Sequence, residues 1–307
     1  MTPSHPTYDP IAKLIEWAAA RDSVRAMLLT STRAVPGASV DALSDYDVIL
    51  IVRDIHPFVD DRAWLNAFGE VLVVYWDQVH PDPLFGIERC GNVTQYADGL
   101  KIDFGLWPIG LFEQIVAAPE PDPELDAGYR VLLDKDGLAA GLAAPTFMAY
   151  VPKPPTLAEY QTHINDFLTD APYVAKCLWR DELLPAKWCL DYDMKHVYLL
   201  RLLEWHMAMD HGWSVPTGAL GKGLKKRLPA EIWTQVEQSF AGGGLADNWE
   251  ALARTMALFR QVAIEVGARL GYAYPEDLYQ RVSAYVEQIK LLERPAAVGR
   301  PATRECQ

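Results

Sequence analysis

Two aspartates stand two residues apart at the start of a predicted β-strand. They are Asp45 and Asp47, at the head of the apolar run Val48–Val52. Because residues two apart in a strand point to the same face, we expect the two carboxylates to lie side by side. Neighbouring carboxylates repel each other, a divalent cation removes that repulsion, and oxygen-only ligands favour Mg²⁺ over Zn²⁺. The spacing therefore predicts a magnesium site at this strand.

A third carboxylate is predicted to face the same way. In the segment Leu100–Leu106 apolar residues alternate strictly with other residues, which places Asp103 on the face opposite to the apolar side chains. Three carboxylates on one polar sheet face indicate metal-dependent phosphoryl or nucleotidyl transfer. The ordinary alternatives are turn-capping aspartates at 45 and 47, and a structural ion pair of Asp103 with Lys101 or Arg33.

A turn rich in hydroxyl groups follows the predicted strand Val24–Leu29. It consists of Ser31, Thr32 and Arg33. Hydroxyl groups and backbone N–H groups at such a turn can hold phosphates, although ordinary turn chemistry would use the same residue types. The order of strand, hydroxyl turn, Asp-x-Asp and lone Asp is much rarer than any of its parts.

The first half of the chain must supply the elements that position these residues. A helix is predicted from the N-cap Asp9 and Pro10. Short β-favouring runs predict a mixed α/β domain over residues 1–150. The predicted strands are Val24–Leu29, Val48–Val52, Val71–Trp76, Leu100–Leu106 and Tyr129–Leu133.

The second half reads as almost wholly helical. A proline-rich joint at Val151–Pro155 separates it from the first half. Residues 156–293 predict a helical bundle domain, with a loop at Gly212–Gly223 and a flexible tail at 294–307. The predicted helices cover about 156–180, 183–209, 230–240, 246–270 and 276–292.

One helix of this second half carries charged residues at helical spacing. Lys187, Asp191 and Lys195 are spaced i, i+4 and i+8, so they line one face. From spacing alone, a solvated salt-bridge ladder is slightly favoured over a binding surface.

Charge and composition exclude several classes of protein. The net charge of −13 argues against non-specific nucleic-acid binding and suits a cationic partner. No run of about 20 apolar residues is present. The first residues do not resemble a secretory signal, and the four cysteines are scattered without metal-ligand spacing. We therefore expect a cytoplasmic protein; the sequence does not indicate an oligomeric state.

The combined motifs resemble the nucleotidyltransferase superfamily and, within it, the aminoglycoside 6-adenylyltransferase (streptomycin adenylyltransferase) family. The resemblance extends over about residues 8–292. It includes helical segments as well as the strand motifs. The matching segments are Thr30–Ala34, Ser44–Val48, Lys101–Asp103, Glu182–Asp191, Leu203–His206 and Gly221–Lys225.

The resemblance implies a nucleotidyltransferase-like sheet domain, a helical substrate-binding domain, and transfer of AMP from ATP to an aminoglycoside hydroxyl. Asp45 and Asp47 would hold Mg²⁺, and Asp103 would join them or act as general base. The triphosphate would contact Ser31, Thr32, Arg33 and Lys187. The implied drug-binding residues are Glu182, Trp188, Asp191 and Lys195.

One departure and two alternatives stay open. The superfamily's Gly-Ser turn is Ser31-Thr32 here, and a side chain at residue 31 narrows the room for the triphosphate. The chemistry could serve another acceptor, either a small molecule or a protein or RNA end. Alternatively, the chain could be a nucleotide-binding sensor without turnover.

Overall fold

A computed structural model describes residues 9–293 of the 307-residue chain. The chain forms two compact units, Met1–Tyr150 and Val151–Gln307. The predicted flexible tail, 294–307, lies outside the described residues. Within the described range, no helix is long and apolar enough to span a bilayer.

The first unit is a mixed sheet with flanking helices, as predicted. Its helices are α1 (Pro10–Ala19), α2 (His56–Asp60), α3 (Ile109–Ala117) and α4 (Pro123–Asp126), with 3₁₀ turns at Ser31–Ala34 and Arg62–Ala67. Its strands are β1 (Val24–Thr30), β2 (Tyr46–Val52), β3 (Val71–Trp76), β4 (His80–Pro81), β5 (Glu88–Tyr96), β6 (Lys101–Pro108) and β7 (Tyr129–Asp134). The expected N-cap of α1 is present, since the Asp9 carboxylate accepts a hydrogen bond from the Ile11 N–H at 2.9 Å.

The sheet runs in the order β3-β5-β6-β2-β1-β7, and β4 pairs with β5. Strands β2 and β6 are parallel, whereas the other pairs are antiparallel. The parallel register sets Asp47 beside Asp103. Residues paired across neighbouring strands share a face, so this register decides which side chains of β2 and β6 meet.

Both faces of the sheet are covered by apolar packing. On one face Leu14 and Trp17 of α1 pack with side chains such as Leu50 and Phe104. On the other face α3 covers a smaller core that includes Ile49 and Trp107. Asp45, Asp47 and Asp103 lie past the edge of this smaller core, at the N-terminal ends of β2 and β6.

Strand β5 was missed by the sequence prediction. Its inward positions include the buried polar residues Asn92 and Thr94 between Cys90 and Tyr96. The Thr94 hydroxyl donates to the Asn92 side-chain oxygen at 2.8 Å. Polar residues at inward positions hide the period-2 apolar pattern on which a strand prediction depends.

The second unit is helical, which confirms the predicted fold class. Thr156 and Glu159 form a capping box at the start of its first helix. Phe167 and Phe259 stack in its core with ring centroids 3.6 Å apart. The elements are α5 (Leu157–Trp179), α6 (Leu183–Lys187), a π-helical segment (Trp188–Leu199), α7 (Leu200–Asp210), 3₁₀ turns at Ala219–Gly221 and Leu224–Lys226, α8 (Ala230–Gln238), α9 (Leu245–Leu270) and α10 (Glu276–Leu291).

The sequence predicts one α-helix over 183–209, and this is wrong about the type of helix. The structure has three consecutive helical segments there, α6, the π-helical segment Trp188–Leu199 and α7. A π-helix widens each turn to i→i+5 hydrogen bonds, is rare, and has no apolar period that distinguishes it from an α-helix. The sequence therefore indicated a helix there but not its winding.

Candidate active site

Three carboxylates and one ammonium group meet where β2 and β6 begin. Asp47 on β2 lies beside Asp103 on β6, and Asp45 immediately precedes β2. Lys101, two residues before Asp103 on the same face of β6, donates to Asp45 Oδ2 at 2.5 Å and to Asp103 Oδ2 at 2.9 Å. The structure thus brings together the three predicted carboxylates, and it contains the ion pair between Lys101 and Asp103 that the sequence offered as an alternative.

The predicted hydroxyl turn lies against these carboxylates. Ser31 opens the 3₁₀ turn after β1 with a φ of 58°, in the left-handed region that favours glycine. Its hydroxyl is hydrogen-bonded to the Asp47 carboxylate. Ser31 therefore adopts a backbone conformation that glycine takes more readily, and it uses its side chain to hold a carboxylate. Thr32 follows on the same turn and is half-buried.

Arg33 organises the loop before β2. Its Nε donates to the Asp45 carbonyl and one Nη to the Ser44 carbonyl, both at 2.8 Å. The guanidinium also lies 3.8 Å from the centre of the Tyr46 ring. Arg33 therefore fixes the backbone that carries Asp45. These hydrogen bonds use two of its five N–H donors, so other donors remain for a ligand.

The electrostatics of the site are those of crowded carboxylates. Burial and then the charge of Asp103 raise the pKa of Asp47, although the Ser31 hydroxyl lowers it. Burial also raises the pKa of Asp103, against the opposing effect of Lys101. Burial lowers the pKa of Lys101, but its bonds to Asp45 and Asp103 raise it more. One ammonium group thus only partly offsets three carboxylates.

The chemical types of these donors suit a divalent cation, although the oxygens of Asp45, Asp47 and Asp103 do not all lie within 4.8 Å of one another in this structure. Asp103 Oδ1 is buried and accepts no hydrogen bond from any residue in the range 9–293. A buried carboxylate oxygen without a partner is costly, and a cation would satisfy it. Since all the candidate ligands are carboxylate oxygens, they suit Mg²⁺ better than a metal that prefers nitrogen or sulfur.

A cleft of about 200 Å³ adjoins Asp47 and Asp103. Its floor contains Gly91 and Gly105, which face each other across β5 and β6. A Cβ atom at Gly91 would lie 2.8 Å from Asp77 Oδ2, so a side chain there would intrude on the cleft wall. Because β5 was not predicted from the sequence, this floor was not predicted either.

Charged side chains line the far wall of the cleft. The Arg89 guanidinium lies over the Trp107 ring at 5.3 Å and pairs with Asp82 at 3.4 Å and Glu124 at 3.8 Å. Arg89 is the one arginine among the residues that line this cleft. The guanidinium is 25% exposed and already paired with these two carboxylates, so an anionic group such as a phosphate would compete with them for it. The sequence signal that could have indicated which way the Arg89 side chain points is the alternation of buried and less buried residues along β5.

In the second unit, the predicted helix-face residues form a closed ladder. The Lys187 ammonium lies 2.6 Å and the Lys195 ammonium 2.7 Å from the Asp191 carboxylate. Lys187 also donates to the Ala241 carbonyl at 2.8 Å, while the buried Lys195 lies 4.4 Å from the Phe240 ring centre. Burial raises the pKa of Asp191, but the hydrogen bonds from both lysines bring it below its ordinary value.

The remaining two predicted drug-binding residues are exposed. Glu182 precedes α6, and Trp188 begins the π-helical segment with 66% of its surface exposed. The Trp188 ring lies 5.2 Å from that of Tyr192. An exposed aromatic pair is open to stacking with a ligand. Roles in binding for both residues stay predictions.

Comparison with known proteins places the chain in a family. The family model described as streptomycin adenylyltransferase matches residues 7–289. The aminoglycoside 6-adenylyltransferase of Campylobacter jejuni is 30% identical over 268 residues, which are 86% of this chain and 88% of that protein. The Bacillus subtilis (strain 168) protein of the same name is 29% identical over 281 residues, 90% and 94% of the two chains.

A solved structure also matches along nearly the whole length. The crystal structure of an aminoglycoside 6-adenyltransferase from Bacillus subtilis is 26% identical, covers 93% of this chain and 100% of its own, and has a TM-score of 0.45. The family model by itself covers all but a few of the described residues, and this confirms the resemblance found in the sequence. The chain belongs to the streptomycin adenylyltransferase family of nucleotidyltransferase enzymes.

Proposed function

We propose that this protein transfers AMP from ATP to a hydroxyl group of an aminoglycoside, with Mg²⁺ as cofactor and streptomycin as the acceptor, and so confers antibiotic resistance. Its place of action would be the cytoplasm, where ATP is available. The observation that carries the proposal is the group of Asp45, Asp47 and Asp103 where β2 and β6 begin, beside the Ser31 turn. The aminoglycoside is taken from the names of the relatives, and streptomycin from the description of the family.

The chain's own residues would divide the work of the transfer. Asp45 and Asp47 would hold Mg²⁺, which would neutralise charge on the phosphates, and Asp103 would either join them or act as the general base. The Ser31-Thr32 turn and Arg33 would hold the triphosphate through hydroxyl, backbone and guanidinium donors. Ser31 would also orient Asp47 through its hydrogen bond.

The reaction balances as a single displacement at the α-phosphorus. The acceptor hydroxyl oxygen bonds to that phosphorus, the bond from phosphorus to the bridging oxygen of pyrophosphate breaks, and the hydroxyl proton passes to a carboxylate. Acting as general base rather than as a metal ligand, Asp103 is suited to receive the proton because burial raises its pKa and its Oδ1 has no hydrogen-bond partner among the described residues. A base with a raised pKa holds a transferred proton more readily than an ordinary aspartate does.

The aminoglycoside would be drawn by negative charge. The net charge of −13 raises the local concentration of a polycation. In the helical unit, Asp191 and Glu182 would face its ammonium groups, and Trp188 would stack on a sugar ring. Lys187 would contact phosphate, and Lys195 would complete the charged helix face on which Asp191 stands.

The test is incubation of the purified protein with Mg-ATP and streptomycin, followed by pyrophosphate release and by the mass of the product. A streptomycin–AMP adduct that is absent with Asp47→Asn supports the reaction, the acceptor and the site together. Release only with other aminoglycosides would change the acceptor. ATP binding without turnover on a broad acceptor panel would refute the enzyme proposal in favour of a nucleotide sensor.

A further inference from the structure

Lys101 occupies an unusual place among the three carboxylates. Its ammonium group lies 2.5 Å from Asp45 Oδ2 and 2.9 Å from Asp103 Oδ2, so it bridges two different chain segments. The three side chains are partly exposed, at 28% for Lys101, 38% for Asp45 and 28% for Asp103. The bridge is therefore accessible to ions that enter from solvent.

The Lys101 ammonium donates to two carboxylate oxygens, Asp45 Oδ2 and Asp103 Oδ2, that a bound cation would also use. A lysine ammonium is a compact charge with three donors, and here two of those donors point at carboxylates that would otherwise repel each other. A divalent cation on the same two oxygens would lie within a few ångströms of the ammonium, and like charges at that distance repel strongly. Lys101 and a metal ion thus compete for Asp45 and Asp103.

Asp47 is arranged differently from its two neighbours. Its carboxylate accepts a hydrogen bond from the neutral Ser31 hydroxyl, and the Lys101 charge acts on it only at longer range. Asp47 and the Oδ1 of Asp103, which has no hydrogen-bond partner within residues 9–293, are therefore still available to a cation when Lys101 contacts Asp45 and Asp103. The site has one open half and one half closed by the lysine.

We propose that Lys101 is an internal counterion that competes with a metal ion for Asp45 and Asp103 and is displaced when the metal binds, so that metal loading is weak until an anionic ligand is present to receive the released ammonium. A nucleoside triphosphate supplies such an anion beside the Ser31 turn. The inference rests on the proposed function, because it takes the three carboxylates to be the metal site. It assigns Lys101 a positioning and gating role, for which the test must show a gain of metal affinity as well as a loss of activity.

The test uses Mn²⁺ alone as the probe, added to the full chain without nucleotide and followed by EPR of the free ion and by calorimetry. Lys101→Met removes the charge at nearly constant length. We expect it to tighten Mn²⁺ binding by about tenfold or more, since a unit charge of like sign leaves the site. Lys101→Arg keeps the charge and should bind Mn²⁺ about as weakly as the unaltered protein.

A matched control separates this effect from net charge. Lys225→Met makes the same charge change in an exposed pair with Glu237 of the helical unit and should leave Mn²⁺ affinity unchanged. In EDTA, Lys101→Met should melt at a lower temperature than the unaltered protein, and Mn²⁺ should restore the loss. If the methionine variant does not fold, Lys101→Gln provides the same measurement.

The outcomes distinguish the inference from the function on which it rests. Equal or weaker Mn²⁺ binding by both uncharged variants, in a protein that does transfer AMP, overturns the role of Lys101 alone. Absence of Mn²⁺ binding from every variant, together with absence of transfer, overturns the proposed metal site and the inference with it. Tighter binding in the uncharged variants with weaker Mg-ATP binding supports the displacement.

Discussion

Asp191→Asn tests whether the charged ladder of the helical unit holds the fold together. Asp191 lies between Lys187 and Lys195, and the Lys195 side chain is only 3% exposed. Without the carboxylate, the buried ammonium group of Lys195 keeps the Phe240 ring as its close neighbour and loses its charged partner. Removing one partner of a buried ion pair is costly because the other charge stays desolvated.

The expected loss can be worked from the two contacts. A charge-assisted hydrogen bond contributes about 1.5–3 kcal/mol, and the buried Lys195 contact should be near the upper value. The Lys187 contact is 25% exposed at the lysine, so it is screened and should add about 0–1 kcal/mol. We expect a total loss of about 3 kcal/mol in the free energy of unfolding. For a unit of this size that corresponds to a fall in Tm of about 6–12 °C.

The assay is thermal unfolding of the full chain, followed by calorimetry, with streptomycin binding measured alongside. Lys195→Met on the Asp191→Asn background should recover at least half of the lost Tm, because it removes the unpaired charge. Glu250→Gln is the matched control, since it neutralises an exposed ion pair with Arg254 on α9 and should shift Tm little. An unchanged Tm with weakened streptomycin binding would refute the structural reasoning and favour a drug-binding role for Asp191.

Three further outcomes are expected. Ser31→Gly and Ser31→Ala both lose the bond to Asp47, but only glycine relieves the left-handed φ of 58°. The glycine variant should therefore be more stable than the alanine variant by about 1 kcal/mol, and differential scanning calorimetry would contradict this if the alanine variant melted at the same or a higher temperature. Thr156→Ala removes the N-cap of α5 and should lower the free energy of unfolding by about 1 kcal/mol. A denaturant titration measures this change, and a loss below about 0.3 kcal/mol would count against the capping role. The Asp126 carboxylate accepts hydrogen bonds from the Thr146 N–H and hydroxyl, both at 2.7 Å. Burial raises the pKa of Asp126, but these hydrogen bonds bring it below the ordinary value. The contribution of Asp126 to stability is therefore full above about pH 4 and is lost as the pH falls further. Acid unfolding of Asp126→Asn should accordingly show a shallower loss of stability below pH 4 than the unaltered protein, and parallel curves would refute the assignment.

Local patterns predicted most of the elements near the site. The alternation from Leu100 to Leu106 placed Asp103 on the polar face, and the burial along β6 confirms it. The apolar run Val71–Trp76 is a strand with the predicted bounds. These features depend on neighbours two residues apart in one strand, and such neighbours are visible in the sequence.

Other features depend on contacts between distant segments, and the sequence did not reveal them. The burial of Asn92 and Thr94 in β5 reflects a hydrogen bond between two side chains, so no apolar period marked the strand. Because β5 was not predicted, neither the cleft floor at Gly91 nor the position of Arg89 could be predicted. The π-helical winding at Trp188–Leu199 was likewise invisible, because propensity does not separate it from an α-helix.

By itself the sequence determined the residue types of this protein, the face on which each strand presents them, and the family. How these residues combine depends on the pairing of distant strands in the folded chain. The parallel pairing of β2 with β6 sets Asp47 beside Asp103, and it brings Lys101 within 2.5 Å of Asp45. Strand pairing depends on long-range contacts rather than on neighbouring residues, so the charge balance of the site is a property of the folded chain.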